Sequence, residues 1–388
     1  MLERAYFDWN ATAPLRVEAR AAMTAALDLT GNASSVHAEG RAARHMIETA
    51  REQVAALVGA AAKNVTFTSG GTEANMLALT PALEFGARKA KRDRLLVSSI
   101  EHPSVRAGGR FALEAVEEIP VTARGQVDLD ALKERLAGTK TAMVSVMLAN
   151  NETGVVQPIS QVAEIVHQAG GLLHVDAVQG AGRIACQINE LSADLLTLSG
   201  HKLGGPQGVG ALVRGDETLH IAQPLITGGG QERRLRAGTE NVAAIAGFGA
   251  AAVAAKAARE RDARHMAALR DRLEAGLKAV TPDVIIFGRE SERLANTTLF
   301  AVPGMKAETA IIAFDLNGVA VSSGSACSSG KVQPSYVLAA MGREPALARG
   351  AVRVSLGWST TESDVERLLS AWNKVSSSLR KEQRGIAA

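Results

Sequence analysis

Aromatic residues are scarce in this chain of 388 residues: Phe, Trp and Tyr together make up 3%. Its core must therefore be built mainly from Ala, Val, Leu and Ile. Cysteine is scarcer still. Cys186 and Cys327 stand far apart in sequence, so there is no disulfide framework, and a reducing cytoplasmic setting is expected. Neither sign of charge dominates. The net charge is +3 and basic residues are interspersed with acids, which leaves nucleic-acid binding without support. No apolar run reaches the length of a membrane span. The longest, Val242 to Ala255, falls short of the roughly 18 residues required and reads as a buried helix. The first eight residues carry acids and no apolar stretch, unlike a signal peptide.

What is present is an ordinary apolar fraction of 46%, enough for a sizeable core, in a chain too long for one average domain. Short apolar runs at 65–68, 95–98, 142–146, 172–175, 195–198 and 210–213 alternate with helical patterns. Runs apolar on both faces suit a sheet covered by helices, so the class is α/β. Residues 158–168 read as a helix opened by Pro158 and stopped at Gly170-Gly171. The texture changes near Arg259, where a charged amphipathic helix over 259–280 is expected to bridge two domains. Strands at 297–302, 319–322 and 352–356 then read as a smaller α+β unit, on which the first dozen residues are expected to pack. The expected division is 15–258 for a large domain, and 1–14 with 259–388 for a small one.

The most informative run is Thr197-Leu198-Ser199-Gly200-His201-Lys202-Leu203-Gly204-Gly205. A lysine between an apolar strand and a glycine-rich turn fits an amine that meets a cofactor aldehyde. Upstream, the strand ending in His174-Val175-Asp176 supplies a carboxylate for a pyridine nitrogen. Together they point to pyridoxal 5′-phosphate, with Lys202 as the Schiff-base residue. Ser69-Gly70-Gly71-Thr72-Glu73 follows a strand and opens a helix, which suits a phosphate but also an ordinary turn. Gln179 and Asn151 could donate to a ring oxygen, or could merely brace loops. His102 could stack on the ring and move protons. His102, His174 and His201 lack the tight spacing of a metal site, and none is expected. Thr239 is a further phosphate candidate. Arg353 could clamp a substrate carboxylate or form a structural ion pair. Cys186 reads as a buried free thiol. Cys327, within Ser323-Gly324-Ser325-Ala326-Cys327-Ser328-Ser329, reads as a mobile nucleophile.

These motifs, in this order, resemble the cysteine desulfurases of the NifS/IscS type, in the class V aminotransferase family. The resemblance runs from Tyr6-Phe7-Asp8-Trp9-Asn10 through Gly71-Thr72-Glu73-Ala74-Asn75, Glu101-His102, Asn150-Asn151-Glu152, Asp176-Ala177-Val178-Gln179 and Ser199-Gly200-His201-Lys202 to Arg236-Ala237-Gly238-Thr239. The Cys327 segment is similar to the loop of the group I enzymes. The resemblance implies fold type I of the pyridoxal-phosphate transferases (aspartate-aminotransferase-like), with a mainly parallel seven-stranded sheet. It implies cofactor contacts from Gly71, Thr72, His102, Asn151, Asp176, Gln179, Ser199, Gly200, His201 and Lys202. Thr239 would come from the partner subunit of a homodimer. Asn151 and Arg353 would hold L-cysteine, and a sulfur-acceptor protein such as an iron–sulfur scaffold would empty a persulfide on Cys327. A free thiol is only partly ionised at neutral pH, so activation by His102 or by the bound substrate is expected. In the family, threonine is common where Ala13 stands and glycine is common where Arg234 stands. A selenocysteine lyase would share these motifs. A plain aminotransferase would not need Cys327, and a sulfur carrier without turnover would not need Lys202.

Overall fold

The computed structural model describes residues 4–85, 88–138, 141–324 and 333–386, so Cys327 lies outside the described residues. The apolar runs form the strands expected of them. Val65–Thr68, Arg94–Ser98, Val116–Ile119, Ala142–Met147, Leu172–Asp176, Leu195–Ser199 and Gly210–Arg214 make one seven-stranded sheet. From one edge it runs 65–68, 210–214, 195–199, 172–176, 142–147, 94–98, 116–119. Gly210–Arg214 is antiparallel to both its neighbours, and every other pairing is parallel. All six remaining strands therefore end along one edge, where ligands bind in such sheets. The edge strand Val116–Ile119 was not evident in the sequence. Its two central residues are glutamates, so it lacks the two-faced apolar signature of the inner strands.

The sheet is nearly aromatic-free inside. Val144, Val146, Leu173, Val175, Leu196 and Leu198 are essentially inaccessible and pack with Ala50, Val54, Ala163 and Ala252 from the covering helices. Small helix residues let the helices lie close to the sheet and to each other. Gly249 shows the constraint: a Cβ there would sit 2.7 Å from Ala50 Cα.

Two sequence readings merge into one element. Val242–Ala255 and the amphipathic 259–280 stretch belong to a single helix, Val242–Val280. The change of texture at Arg259 marks a change of neighbours along the helix, not its end. Its first half packs on the helices Val17–Leu27 and Ala38–Val58. Its second half carries Met266, Leu269, Leu273 and Leu277 into a separate core with Phe300, Phe314 and Trp372. Another reading divides. The run at 319–322 becomes two short strands: Val319–Ala320 pairs in parallel with Ala5–Tyr6, whereas Ser322–Ser323 pairs with Val352–Ser355. The latter belongs to a four-stranded sheet with Ile285–Phe287 and Thr297–Ala301. Ala5–Tyr6 thus pairs with the C-terminal part of the chain. Arg16 fastens this junction: it pairs with Asp262 at 3.4 Å and lies 3.7 Å over the Trp358 ring.

Candidate active site

Five of the parallel strands hand residues to a cavity of about 510 Å³ at the sheet's carboxyl edge. The turn after Val65–Thr68 brings Gly71 and Thr72, which open the helix Gly71–Ala78. The facing strand must begin with glycine because it runs close beside this turn. A Cβ on Gly210 would stand 2.5 Å from the Gly70 carbonyl carbon. His102 follows Arg94–Ser98, Asn151 follows Ala142–Met147, Asp176 ends its own strand, and Ser199, His201 and Lys202 come from the end of Leu195–Ser199 and the turn beyond it. Gln179 lies one turn past Asp176. Arg353 arrives from the four-stranded sheet.

Lys202 Nζ donates to the carbonyls of Asn10 and Ala11, at 2.6 and 2.7 Å. Burial, with the nearby guanidinium groups of Arg353 and Arg183, pushes its amine down to about 7. Such an amine is substantially neutral near physiological pH and can act as a nucleophile or base. Asp176 is 5% exposed. Its two oxygens accept from Asn75 Nδ2 at 2.9 Å and from the Val178 amide at 3.0 Å. His102 lies near both, and burial holds its imidazole below its ordinary value, chiefly opposed by Asp176. His201 bonds Thr12 through Nδ1, and burial beside Lys202 lowers it to about 4.

Other sequence candidates are placed differently. Gly200 does not line the cavity. Its amide bonds the Val209 carbonyl, and a Cβ there would meet Val209 at 2.9 Å. Thr239 is exposed and away from this cavity, on a loop tied back by the Arg236–Glu73 ion pair at 3.1 Å. Gln179 donates to the Asn10 carbonyl and accepts from Arg183. Arg353 spends one nitrogen on Asp8 at 2.8 Å and another on the Asn151 carbonyl at 3.0 Å, while Nε has no protein partner. Cys186 is buried, and burial raises its thiol to about 11, which makes it inert at neutral pH. His174 is enclosed between Ser145 and Thr197 inside the sheet.

Several site residues were not singled out in the sequence. Asp8, Asn10, Asn75 and Ser104 line the cavity, and Arg183 braces it from behind. Asp8, Asn10 and Asn75 stand inside motifs that were noticed for their neighbours. Glu101 and Glu152 are fully buried carboxyls beside the site. Burial, added to by Asp176, holds Glu101 well above its usual range. Burial lifts Glu152 to about 8 despite the hydroxyl of Ser335 and the charge of Arg353.

The class V aminotransferase model matches residues 5–368. The chain belongs to the class V aminotransferase family. It is 41% identical to a cysteine desulfurase of Gluconacetobacter diazotrophicus, over 97% of this chain and 94% of that protein. It is 40% identical to an IscS-like cysteine desulfurase of Mycobacterium tuberculosis, over 94% of each. A NifS-like protein from Rickettsia africae superposes with a TM-score of 0.86 at 35% identity, covering 97% of this chain and all of that one. The fold is therefore that of the NifS-like members of this family, a mostly parallel sheet with flanking helices.

The residues present fit pyridoxal phosphate on their own chemistry. One cavity holds a depressed amine, a buried carboxylate and a glycine turn at a helix start. It also holds Asn151 Oδ1, a buried oxygen with no protein partner.

Proposed function

We propose that this chain is a pyridoxal-phosphate-dependent cysteine desulfurase that converts L-cysteine to L-alanine and leaves the sulfur as a persulfide on Cys327. The observation that carries the reading is the placement of Lys202, Asp176 and Arg353 around one cavity, in a chain whose relatives along its whole length are cysteine desulfurases. In this reading Gly71, Thr72, Ser199 and His201 receive the phosphate. Asp176 faces the pyridine nitrogen, and Gln179 and Asn151 face the ring oxygen. Thr239 serves the partner's site in a homodimer, which agrees with its exposure on this chain. Gly200 acts only through the turn that orients Lys202.

When bound, the cofactor supplies an electron sink for the substrate's α-carbon. Lys202 then takes the α-proton and returns it, which an amine near 7 can do in both directions. Arg353 receives the α-carboxylate, with Asn151 beside it. Cys327 takes the sulfur. Its thiolate forms a new S–S bond as the substrate's C–S bond breaks, and the carbon keeps the electron pair, gains a proton and leaves as the methyl group of alanine. We propose that residues 15–258 hold the cofactor, and that 1–14 with 259–388 form the smaller unit bearing Arg353 and Cys327. The enzyme would work in the cytoplasm and pass sulfur to an acceptor protein such as an iron–sulfur scaffold.

Incubation with L-cysteine and a thiol reductant tests this reading. We expect equimolar alanine and sulfide, both lost in Cys327→Ala and reduced about 1,000-fold or more in Lys202→Ala. Turnover unaffected by Cys327→Ala would overturn the nucleophile, and absence of alanine from the loaded wild-type protein would overturn the substrate.

A further inference from the structure

A continuous chain of hydrogen bonds links His102 to Asp176. Asn75 Nδ2 donates to Asp176 Oδ2 and to Ser104 Oγ, each at 2.9 Å. That uses both of its protons. Ser104 Oγ, already accepting from Asn75, has its own proton free for His102 Nδ1 at 2.8 Å. The Ser104 backbone amide donates to the same ring nitrogen at 3.2 Å. An amide N–H can only donate, so His102 Nδ1 must present its lone pair there. The ring proton is then on Nε2, and Nε2–H is the polar group the ring has left for the cavity.

The direction of the chain is fixed at both ends. Turning the Asn75 amide over would set its oxygen against the Asp176 carboxyl, whose other oxygen is already engaged by the Val178 amide. The Ser104 hydroxyl could turn its proton away and accept a ring N–H on its second lone pair, but the Ser104 amide would then face a protonated Nδ1 and lose its acceptor. Burial keeps water from the Asp176 end, where Asn75 is 1% exposed and Asp176 5%, while Ser104 and His102 are half-buried at the cavity wall.

We propose that Asn75 and Ser104 are positioning residues that lock His102 as its Nε2–H tautomer and tie it to Asp176, so that His102 meets the reaction as a hydrogen-bond donor and not as the base that activates a thiol. Nε2 already carries its proton, and a proton on Nδ1 would deprive the Ser104 amide of its acceptor. The thiol that attacks must lose its proton elsewhere. Lys202 and the substrate amine are the remaining bases the reaction itself brings. This inference rests on the desulfurase reading for what the donor faces, but the tautomer stands independently of it.

The test uses the full-length protein loaded with pyridoxal phosphate and labelled with 15N-histidine. Long-range 1H–15N correlation reports which ring nitrogen carries the proton, and loss of one signal set in His102→Gln assigns it. We expect Nε2–H in the wild type and in Ser104→Thr, and a mixture of tautomers in Ser104→Ala and Asn75→Leu. An Nδ1–H or doubly protonated ring in the wild type would overturn the lock. So would an unchanged signal in both disrupted variants, provided each melts as a folded protein. Turnover supplies the second arm. Gln keeps a donor but cannot take a proton, so His102→Gln should stay within about tenfold of wild type while His102→Ala falls at least about tenfold further. Equal losses in the two variants would overturn the donor role. Absence of sulfide from the wild type would instead remove the desulfurase reading, with the tautomer result untouched.

Discussion

Two regions meet at the cavity and are built in opposite ways. Along the carboxyl edge of the large sheet, Gly71, His102, Asn151, Asp176 and Lys202 each follow their own strand within a few residues. Facing them, the substrate-side arginine depends on a seam between distant parts of the chain: Arg353 on the four-stranded sheet pairs with Asp8 near the N-terminus. Strand ends fix the first set through backbone pairing, on both sides for all but Gly71, whose strand is at the sheet's edge. Arg353 also lies on a strand paired on both sides, but its guanidinium is aimed by a part-buried ion pair and a bond to the Asn151 carbonyl. In the proposed reading, the difference separates holding the cofactor from recognising the substrate, and the two should fail separately.

Breaking the seam tests that separation with the largest effect. Arg353→Lys keeps the charge but loses the planar fork that serves Asp8, Asn151 and the substrate at once. We expect KM for L-cysteine to rise about 10- to 100-fold, the worth of one or two charge-assisted bonds, with the cofactor's absorption spectrum intact. Asp8→Asn should move KM less, since it frees Arg353 for the substrate while loosening its aim. A lost cofactor spectrum in either variant would join the two regions into one unit.

On the sheet side, pH sharpens the same contrast. Lys202 attacks an aldehyde only as the neutral amine, and its value near 7 lies far below that of an ordinary lysine. The rate at which cofactor-free protein takes up pyridoxal phosphate should rise about tenfold per pH unit below 7 and level off above about 8. A rise that continued to pH 10 would mean that Lys202 titrates as an exposed lysine does.

The legibility of these regions follows their construction. A strand that hands over a polar residue leaves a local mark, an apolar run followed by Gly, His, Asp or Lys, and such runs were readable at 65–68, 95–98, 142–146, 172–175 and 195–198. Arg353 was visible as a candidate, but its partner Asp8 was not, because nothing in sequence signals a pairing across the length of the chain. Asn75 and Ser104 were hidden for another reason. Their chemistry lies in the direction of a hydrogen bond, and composition carries no directions. The long helix misled because its two halves serve two cores, so its surface pattern changes while its backbone does not.

Two of the buried carboxyls, Asp176 and Glu152, give a smaller test. Asp176 is held by donors from the sheet side. Glu152 sits at the seam, where burial raises it to about 8 and Ser335 Oγ lies 2.5 Å from it. Because its folded value is above the unfolded one, its contribution is fully present below about pH 4.5 and is lost as pH rises through about 8. Wild-type stability should therefore fall with pH across that window relative to Glu152→Gln, by up to about 1.4 kcal/mol per pH unit. Parallel pH profiles for the two proteins would mean that Glu152 is ionised throughout.

The smallest effect we expect concerns the loop that presents Thr239. Glu232, Arg233 and Arg234 all adopt left-handed backbone angles, with φ of 43°, 56° and 68°. Three consecutive side-chain-bearing residues in that region are costly. Glu232 offsets its share through Arg51 at 2.7 Å and the Phe67 amide at 2.9 Å, both buried. Arg234 is exposed, and its position is the one where the family commonly has glycine, for which a positive φ carries no steric penalty. Replacing it removes that penalty but adds chain entropy to the unfolded state. The first term should win, because αL costs a side chain about 1–2 kcal/mol and glycine's extra entropy about 0.5–1 kcal/mol. Arg234→Gly should then stabilise the protein by up to about 1 kcal/mol in urea unfolding, with KM for L-cysteine unchanged. A destabilised variant would mean that the Arg234 side chain makes a contact, on this chain or a second copy, that outweighs the strain of its backbone.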